Sequence, residues 1–256
     1  MRLNELNPKL VSDNIVTGSI YLELNNLYWR FFYMKKGNIE YPITELFCLY
    51  VKASLRNKRR KADGTTLSAG TKQNILTLAK LLDEFEGDSQ FHFVVTTYSS
   101  KNKRVFNQLK RKYATFYKKF CDYLFDIRNQ TDNTVGGHIK NLKSFFNWLN
   151  TDLGIVTGPF YKQFYVWQED IPIIVLNQEQ LRFLIFDVGF HDSLPPKLQR
   201  AKEIFVFGCT VGLRVSDLLT LKKGNLEYTS NGMYLTNVSK KTGISTTIKL
   251  PPYAET

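Results

Sequence analysis

One long segment near the middle of the chain carries apolar side chains at spacings of three and four residues. These side chains are Phe106, Leu109, Tyr113, Phe116, Phe120, Leu124 and Ile127. Because an α-helix completes a turn about every 3.6 residues, this spacing places them on one face. The segment therefore predicts a long amphipathic helix that must pack against other apolar surfaces.

Three other segments show the same helical spacing. Segment 44–61 opens with Leu46, Phe47, Leu49 and Tyr50, and a second stripe consists of Ile75, Leu78, Leu81, Leu82 and Phe85. The last consists of Val135, Ile139, Leu142, Phe145, Phe146 and Leu149, with Asp132 or Asn133 as its N-cap. Four amphipathic helices predict a bundle with one shared core over residues 43–166.

The two ends of the chain alternate apolar and polar residues as β-strands do. Residues 1–42 predict a small β unit. Met233–Val238 and Ser245–Leu250 predict a hairpin with its turn at Lys240–Gly243. The predicted fold class is therefore mainly α with small β units.

A second, α+β domain is predicted over residues 177–256, after a linker at residues 167–176. Its first predicted helix begins at a capping box formed by Asn177 and Gln180. The second runs from about Lys197 to Val211 and is ended by Gly212, and the third runs from about Val215 to Lys222.

The chain is strongly basic, with 35 Lys and Arg against 23 Asp and Glu and a net charge of +12. Such a surplus indicates a polyanionic partner, with nucleic acid ahead of an anionic membrane surface. Acidic residues near the start exclude a secretory signal, and the densest apolar run is too short to span a bilayer. The three cysteines have no further Cys or His at metal-ligand spacing, so we expect no metal and no cofactor. Scattered thiols suit the reducing cytoplasm, where we predict the protein to act.

The positive charge is concentrated in two segments. Residues 52–61 hold six bases and residues 101–120 hold eight, and neither segment contains an acid. A solvated helix face is one interpretation, but such faces usually mix signs, so we predict DNA contact, with Tyr113, Tyr117, Asn107 and Gln108 as additional phosphate or base partners. The predicted DNA-contact residues are Lys58, Arg59, Arg60, Arg104, Lys110, Arg111, Lys118, Lys140, Lys143 and Lys240.

Arg214 follows the point at which an apolar helix is predicted to stop. Gly212 lies two residues before it and Asp217 three residues after it. One interpretation is that the guanidinium projects toward two oxygens of a phosphate and that Asp217 orients it. The other is a structural Arg–Asp pair at an i,i+3 spacing, and the spacing alone leaves both open.

Three segments, taken together and in order, resemble the tyrosine recombinase (phage integrase) family. They are similar to the core-binding helix, the arginine box and the lysine hairpin of that family. The matching segments are Asp132–Leu149, with Asn133-Thr134-Val135 and Leu142–Trp148 in place, Thr210–Leu219, and Lys241-Thr242-Gly243 followed by Thr247–Pro251. The resemblance covers about residues 43–253, and the arginine box is its most specific part.

The resemblance implies a SAM-like core-binding bundle and the N-terminal half of an integrase catalytic domain, which close around duplex DNA as a C-clamp. In this family a tyrosine attacks one strand, forms a 3′-phosphotyrosine and frees a 5′-hydroxyl, without metal or nucleotide. By position, Arg214 would stabilise the transition state, Lys241 (or Lys240 beside it) would protonate the leaving oxygen, and Asp217 would support the arginine.

The partners implied by the resemblance are double-stranded DNA and further recombinase protomers, arranged as a tetrameric synapse for a full-length enzyme. Neither a membrane nor a small-molecule ligand is implied. The expected location is the cytoplasm, in association with the nucleoid.

Two parts of the family's active site have no counterpart in this sequence. The H-x-x-R box is absent, because the residues three positions after His92, His138 and His191 are Val95, Asn141 and Leu194. The nucleophilic tyrosine is also absent. Tyr253 alone follows Lys241, and we interpret it as structural. Since loss of one transition-state donor costs roughly 100–1000-fold in rate, we expect this chain to bind DNA without cleaving it.

Two further interpretations remain open. The chain could be a non-catalytic DNA-binding protein, a truncated copy that occupies recombination sites. It could also be a basic RNA- or membrane-surface binder in which the Arg214 and Lys241 segments are coincidence. Residues 1–42 correspond either to an arm-type DNA-binding domain or to a strand pair that covers the bundle.

Overall fold

The structure is a computed structural model that describes residues 40–98 and 102–254. The chain divides into two compact units after Asp170, here called unit 1 and unit 2. Almost all of the β unit predicted for residues 1–42 lies outside the described residues. The described chain is mainly helical with two small antiparallel sheets, which confirms the coarser part of the predicted fold class.

The described residues of unit 1 form four long helices and a two-stranded sheet. Its elements are β1 (Glu40–Pro42), α1 (Ile43–Leu55), α2 (Ala69–Ser89), β2 (Val94–Thr96), α3 (Lys103–Asp122) continued by a π-helical turn (Tyr123–Ile127), α4 (Asp132–Thr151) and a 3-10 turn (Phe160–Gln163).

The predicted shared core of the four helices is confirmed. The apolar stripes of α2, α3 and α4 are buried in one cluster, which is rich in aromatic rings. The rings of Phe93 and Phe116 stack with their centroids 4.2 Å apart, and Phe116 is also nearly parallel to Phe120. Phe106 packs against this cluster half-buried, and Ile127 lies outside it, being 63% exposed. Ile127 is the last residue of the π-helical turn, whose wider turn rotates it out of the α-helical stripe.

The short strand β2 was not predicted. It pairs antiparallel with β1, with Glu40 opposite Thr96 and Pro42 opposite Val94. Three residues are too few for an alternating pattern to distinguish a strand from a loop.

Two predicted helix boundaries were wrong. Helix α1 ends at Leu55 rather than near residue 61, because Asn57 adopts a left-handed conformation with φ of 57°. The chain then folds into a tight loop in which Arg60 bridges to Thr66. The N-cap of α4 is Thr131, and the predicted caps Asp132 and Asn133 lie inside the helix.

The last part of unit 1, after α4, packs against the helices of the same unit. Ile155, Phe160 and Phe164 are buried in the same core. The backbone of Trp167 lies so close to α4 that a Cβ added to Gly136 would be 1.8 Å from the Trp167 carbonyl oxygen. The beginning of the predicted linker at residues 167–176 is therefore fixed on α4.

Between Ile171 and Ala254, unit 2 forms four helices and a three-stranded sheet. Its elements are α5 (Gln178–Phe186), α6 (Val188–Ser193), α7 (Pro196–Val211), α8 (Val215–Leu218), a 3-10 turn (Lys223–Asn225), β3 (Leu226–Thr229), β4 (Gly232–Val238), β5 (Ser245–Lys249) and a final 3-10 turn (Pro252–Ala254). The strands follow the order β3-β4-β5 and are all antiparallel.

Several local predictions for unit 2 are confirmed. The capping box of Asn177 and Gln180 is formed in full at the start of α5. Gly212 ends α7 in the left-handed conformation, with φ of 61°. The hairpin of β4 and β5 is present, whereas α8 is shorter than the predicted helix and β3 was not predicted.

The buried core of unit 2 is small for its length. It consists of Val211, Met233, Leu235 and Leu250, to which half-buried side chains add. Phe186 on α5 and Phe205 on α7 remain 63% and 52% exposed. Among the helices of the described ranges, none has the length and apolar character that crossing a membrane requires.

Candidate functional site

Arg214 lies beside the tip of the β4–β5 hairpin. It is the N-cap of α8, and the left-handed turn at Gly212 redirects the chain just before it. Its Nη1 donates a hydrogen bond of 2.9 Å to Ser239 Oγ, across 25 residues of sequence. The segment Thr210–Leu219, called the arginine box, and the residues 239–244, here called the lysine turn, are thus in direct contact, although the sequence gives only their order.

Asp217 has a different partner from the one the sequence suggested. Its side chain is buried, and its Oδ1 accepts a hydrogen bond of 3.1 Å from the backbone N–H of Lys240. In the part of the chain that the structure describes, no ion pair within 4.0 Å joins Asp217 to Arg214. Asp217 therefore holds the lysine turn in place, and its support of Arg214 is indirect, through Ser239 of the same turn.

The lysine turn is closed by its own backbone. Ser239 N–H donates to the Ile244 carbonyl at 2.9 Å, and Gly243 N–H donates to the Ser239 carbonyl at 2.7 Å. Gly243 has φ of 71°, a conformation that glycine adopts without steric cost. Lys240 and Lys241 are both exposed, and the described residues provide no acidic partner for either ammonium group.

The hairpin tip and the start of α8 therefore form one cationic surface, here called the hairpin site. It consists of Arg214, Ser239, Lys240 and Lys241, with Asp217 beneath it. Two flexible ammonium groups, a planar guanidinium and a hydroxyl suit an anion with several oxygens, such as a phosphodiester. Ser239 was not among the predicted residues, and only its contact with Arg214 reveals it.

Tyr253 packs inside unit 2. Its hydroxyl is 3.0 Å from Thr210 Oγ1, and its ring lies against Phe186. Since Thr210 Oγ1 has a single hydrogen, which it donates to the Val206 carbonyl, the hydrogen of the Tyr253 hydroxyl points to Thr210. These contacts are those of a structural tyrosine.

Helix α3 presents the basic residues of segment 101–120 in two ways. Lys112 and Lys119 are turned onto the protein: Lys112 Nζ donates to Thr96 Oγ1 at 3.0 Å, and Lys119 Nζ lies 4.4 Å from the centroid of the Phe91 ring. The other predicted bases of this helix are exposed, and their side chains have no bond to any described residue. They are Arg104, Lys110, Arg111 and Lys118.

The two tyrosines predicted as partners of nucleic acid on α3 pack on unit 1 instead, Tyr113 inside the core and Tyr117 against it. Tyr113 is 1% exposed. Tyr117 stacks on Phe164 with centroids 5.1 Å apart, and its hydroxyl donates to the Tyr165 carbonyl. Burial raises the pKa of Tyr117 to about 12. Neither ring is available to stack on a base, whereas Asn107 and Gln108 are exposed as predicted.

Arg59 was predicted to contact DNA but is half-buried in unit 1. Its guanidinium stacks 3.8 Å from the centroid of the Tyr50 ring, and Nη1 donates to Ser54 Oγ at 2.8 Å. Burial lowers the pKa of Arg59, and the nearby Tyr50 partly offsets that effect. Its neighbours Lys58 and Arg60 are exposed, although Arg60 also bonds the Gly64 carbonyl of its own loop.

The two predicted lysines of α4 differ in the same way. Lys143 Nζ donates to the carbonyl oxygens of Lys162 and Phe164, each at 3.0 Å, and so ties the 3-10 turn to α4. Lys140 is exposed, and no described residue bonds its ammonium group. Lys140 therefore remains a candidate for DNA contact, while the geometry gives Lys143 a structural role.

Comparison of the chain with protein-family models, with curated proteins and with solved structures finds no match. Over the described ranges, no three His, Cys, Asp or Glu side chains come together as the ligands of a metal ion would.

Proposed function

We propose that this protein binds duplex DNA and is a site-specific recombinase of the tyrosine recombinase type, acting in the cytoplasm in association with the nucleoid. In this proposal the 256 residues bind DNA but do not cleave it, because they include neither an H-x-x-R box nor a nucleophilic tyrosine. In this proposal residues 43–166, within unit 1, are the core-binding domain, and residues 177–256, within unit 2, are the first half of a catalytic domain. The observation that carries the proposal is the hydrogen bond from Arg214 to Ser239, which joins the arginine box to the lysine turn.

The chemistry of the hairpin site supports a phosphate ligand. Cleavage of a phosphodiester builds negative charge on the non-bridging oxygens, and a fixed guanidinium stabilises that charge without reorganising. A lysine at the exposed turn is suited to give a proton to the leaving 5′-oxygen. Arg214 takes the first role in the proposal, and Lys241 takes the second, with Lys240 as the neighbouring alternative.

The exposed bases of unit 1 support DNA as the polymer that carries this phosphate. Arg104, Lys110, Arg111 and Lys118 lie on one helix with no acid before Asp122. Such a face neutralises several phosphates at once and releases their counterions. In the assembled enzyme the further partners would be other protomers in a tetrameric synapse on paired sites.

The first experiment measures binding of the full chain to duplex DNA as a function of salt. We expect the logarithm of the binding constant to fall linearly with the logarithm of salt concentration, with a slope that corresponds to about five or more phosphates. Changing Lys110, Arg111 and Lys118 to Ala should flatten the slope, whereas Lys80→Ala should not. Lys80 is the matched control because it is an exposed lysine on α2 that pairs with Glu84. A slope near zero, or equal affinity for RNA and duplex DNA, would refute the proposal.

A second candidate is a DNA-binding protein that performs no strand cleavage. It is favoured by the contact of the Tyr253 hydroxyl with Thr210 and by the absence of an H-x-x-R box from these 256 residues. A duplex with a nick at the recombination site traps a covalent intermediate whenever a tyrosine is activated. Neither candidate expects an adduct from these 256 residues, because neither assigns a nucleophile to them. A protein–DNA adduct would therefore exclude the second candidate, and an adduct at Tyr253 would overturn its structural interpretation.

A further inference from the structure

The exposed side of α3 has a composition that phosphate contact alone does not require. Its residues lie three, four and seven positions apart, so they form one stripe along the helix. This stripe, called the α3 face below, consists of Arg104, Asn107, Gln108, Arg111, Thr115 and Lys118, all of them exposed.

The centre of the α3 face carries groups that distinguish bases. Asn and Gln side chains pair in bidentate fashion with the major-groove edge of adenine, and Arg pairs with that of guanine. Asn107, Gln108 and Arg111 supply these three groups within little more than one helical turn. Ala114 and Thr115 follow, and such small side chains contact the thymine methyl group without holding the helix away from the bases.

The edge and the ends of the same face carry bases that can bind phosphates. Lys103 and Lys110 lie along one edge, and Lys118 lies toward the far end. A helix with its side chains is about 10–12 Å in diameter, which matches the width of about 12 Å of the major groove. Polar groups toward the bases and lysines toward the strands are the arrangement that a helix in this groove needs.

The aromatic residues of α3 argue against a single-stranded ligand. Proteins that bind single strands stack bases on exposed aromatic rings. Tyr113 is buried in the core, and Tyr117 is stacked on Phe164. Every residue of the α3 face is non-aromatic, so the face offers hydrogen bonds and charge but no stacking platform.

The helix is also held rigidly from behind. Phe116 and Phe120 are fully buried in the aromatic core. The Asn102 side chain caps the first turn by accepting the N–H of Arg104 at 2.8 Å. A helix fixed at its start and along its inner side positions its outer side chains accurately, as recognition of base edges requires.

We propose that α3 is the helix that reads DNA sequence in the major groove, with Asn107, Gln108 and Arg111 as base-reading residues and Lys103, Lys110 and Lys118 as phosphate-binding residues. This inference rests on the proposed function, because it assumes a duplex DNA ligand. It adds which helix determines the target sequence and which residues determine the preference.

The experiment selects binding sites for the full chain from a pool of randomised duplexes and compares affinity for the selected and a scrambled duplex. We expect Asn107→Ala, Gln108→Ala and Arg111→Lys each to reduce the ratio of the two affinities by about tenfold. Because none of these changes alters the net charge, the salt dependence should stay the same.

Lys110→Ala is the matched control on the same helix. It should weaken binding to both duplexes equally, leave their ratio unchanged and lower the salt slope by about one. Circular dichroism of each variant verifies that the exposed substitutions leave the helices folded.

The possible outcomes separate this inference from the proposed function. Salt-dependent binding without any selected sequence, or a preference that survives all three base-reading substitutions, overturns the role of α3 and leaves DNA binding intact. Failure to bind any duplex refutes the proposed function and this inference with it. A preference lost in the three variants and kept in Lys110→Ala supports the inference.

Discussion

The carboxylate of Asp217 and the backbone N–H of Lys240 are joined by a hydrogen bond of 3.1 Å that spans 23 residues of sequence. The bond holds the lysine turn against the start of α8, where Arg214 reaches the same turn through Ser239. These two hydrogen bonds join the short helix α8 and the hairpin tip into one surface. The geometry of the hairpin site depends on Asp217 although its side chain is not exposed.

Replacement of Asp217 by Ala should loosen the lysine turn. The N–H of Lys240 loses its acceptor, which costs about 1–3 kcal/mol and should speed amide hydrogen exchange at Lys240 by about tenfold or more. NMR-detected exchange measures this rate. Asp217→Asn retains an oxygen acceptor and should restore most of the protection, whereas Ser239→Ala should leave Lys240 protected. Equal protection in Asp217→Ala and the native chain would contradict the role given to Asp217.

Gly136→Ala should destabilise unit 1. An added Cβ would meet the Trp167 carbonyl oxygen at 1.8 Å, so the backbone must shift, at a cost of about 1–3 kcal/mol in free energy of unfolding. Urea unfolding followed by tryptophan fluorescence measures the change, because all three tryptophans precede Ile171.

Gly137→Ala is the natural control for that substitution. It lies on the same helix, but an added Cβ at this position meets no atom within 4 Å. The change should stabilise unit 1 by about 0.5–1 kcal/mol, because alanine is the better helix former. Equal effects of the two substitutions would show that Trp167 does not pack on α4.

Arg59→Ala should mainly lower the stability of unit 1, whereas Lys58→Ala should mainly weaken DNA binding. Arg59→Ala removes the stacking on Tyr50 and the bond to Ser54, so we expect a loss of about 1–2 kcal/mol in stability with an unchanged salt slope of DNA binding. Lys58→Ala should lower the slope by about one and change stability by less than about 0.5 kcal/mol. If Arg59→Ala lowered the salt slope and left the stability unchanged, Arg59 would be a DNA-contact residue and not a structural one.

His138 should make the stability of unit 1 depend on pH. Burial lowers the pKa of His138 in the folded protein, so the unfolded chain binds the proton more readily. The free energy of unfolding should therefore fall as the pH drops below the unfolded value of about 6.5 and should be recovered above it. Urea titrations of the native chain and His138→Gln between pH 5.5 and 8 isolate this contribution as their difference. A difference that does not vary with pH would contradict the assignment.

The apolar stripes of the helices show which parts of the fold the sequence predicts. Leu78 and Leu82 of α2 and Ile139 and Leu142 of α4 were expected in the core and are fully buried there. Periodicity predicts these buried residues correctly because a long helix places an apolar side chain on the same face at every turn. It fails for β2 and for the end of α1, where three residues and one left-handed Asn57 decide the structure.

Whether a basic side chain is exposed or bound to the protein depends on residues that are distant in sequence. Lys110 and Lys112 lie in the same run of bases, yet Lys112 donates a hydrogen bond to Thr96 while Lys110 faces solvent. Arg59 and Lys143 likewise meet groups that other segments supply. A local pattern reports the charge of a side chain but not which carbonyl or aromatic ring comes within its reach.

The sequence by itself determined the four-helix core, the concentration of positive charge and the order of the arginine box and the lysine turn. These properties are local or periodic, so they can be read from neighbours along the chain. Only the tertiary structure decided that Asp217 supports the lysine turn, that Ser239 accepts a hydrogen bond from Arg214, and that Tyr113 and Tyr117 pack in and against the core. Each of those contacts joins residues far apart in sequence, and packing alone determines which distant groups meet.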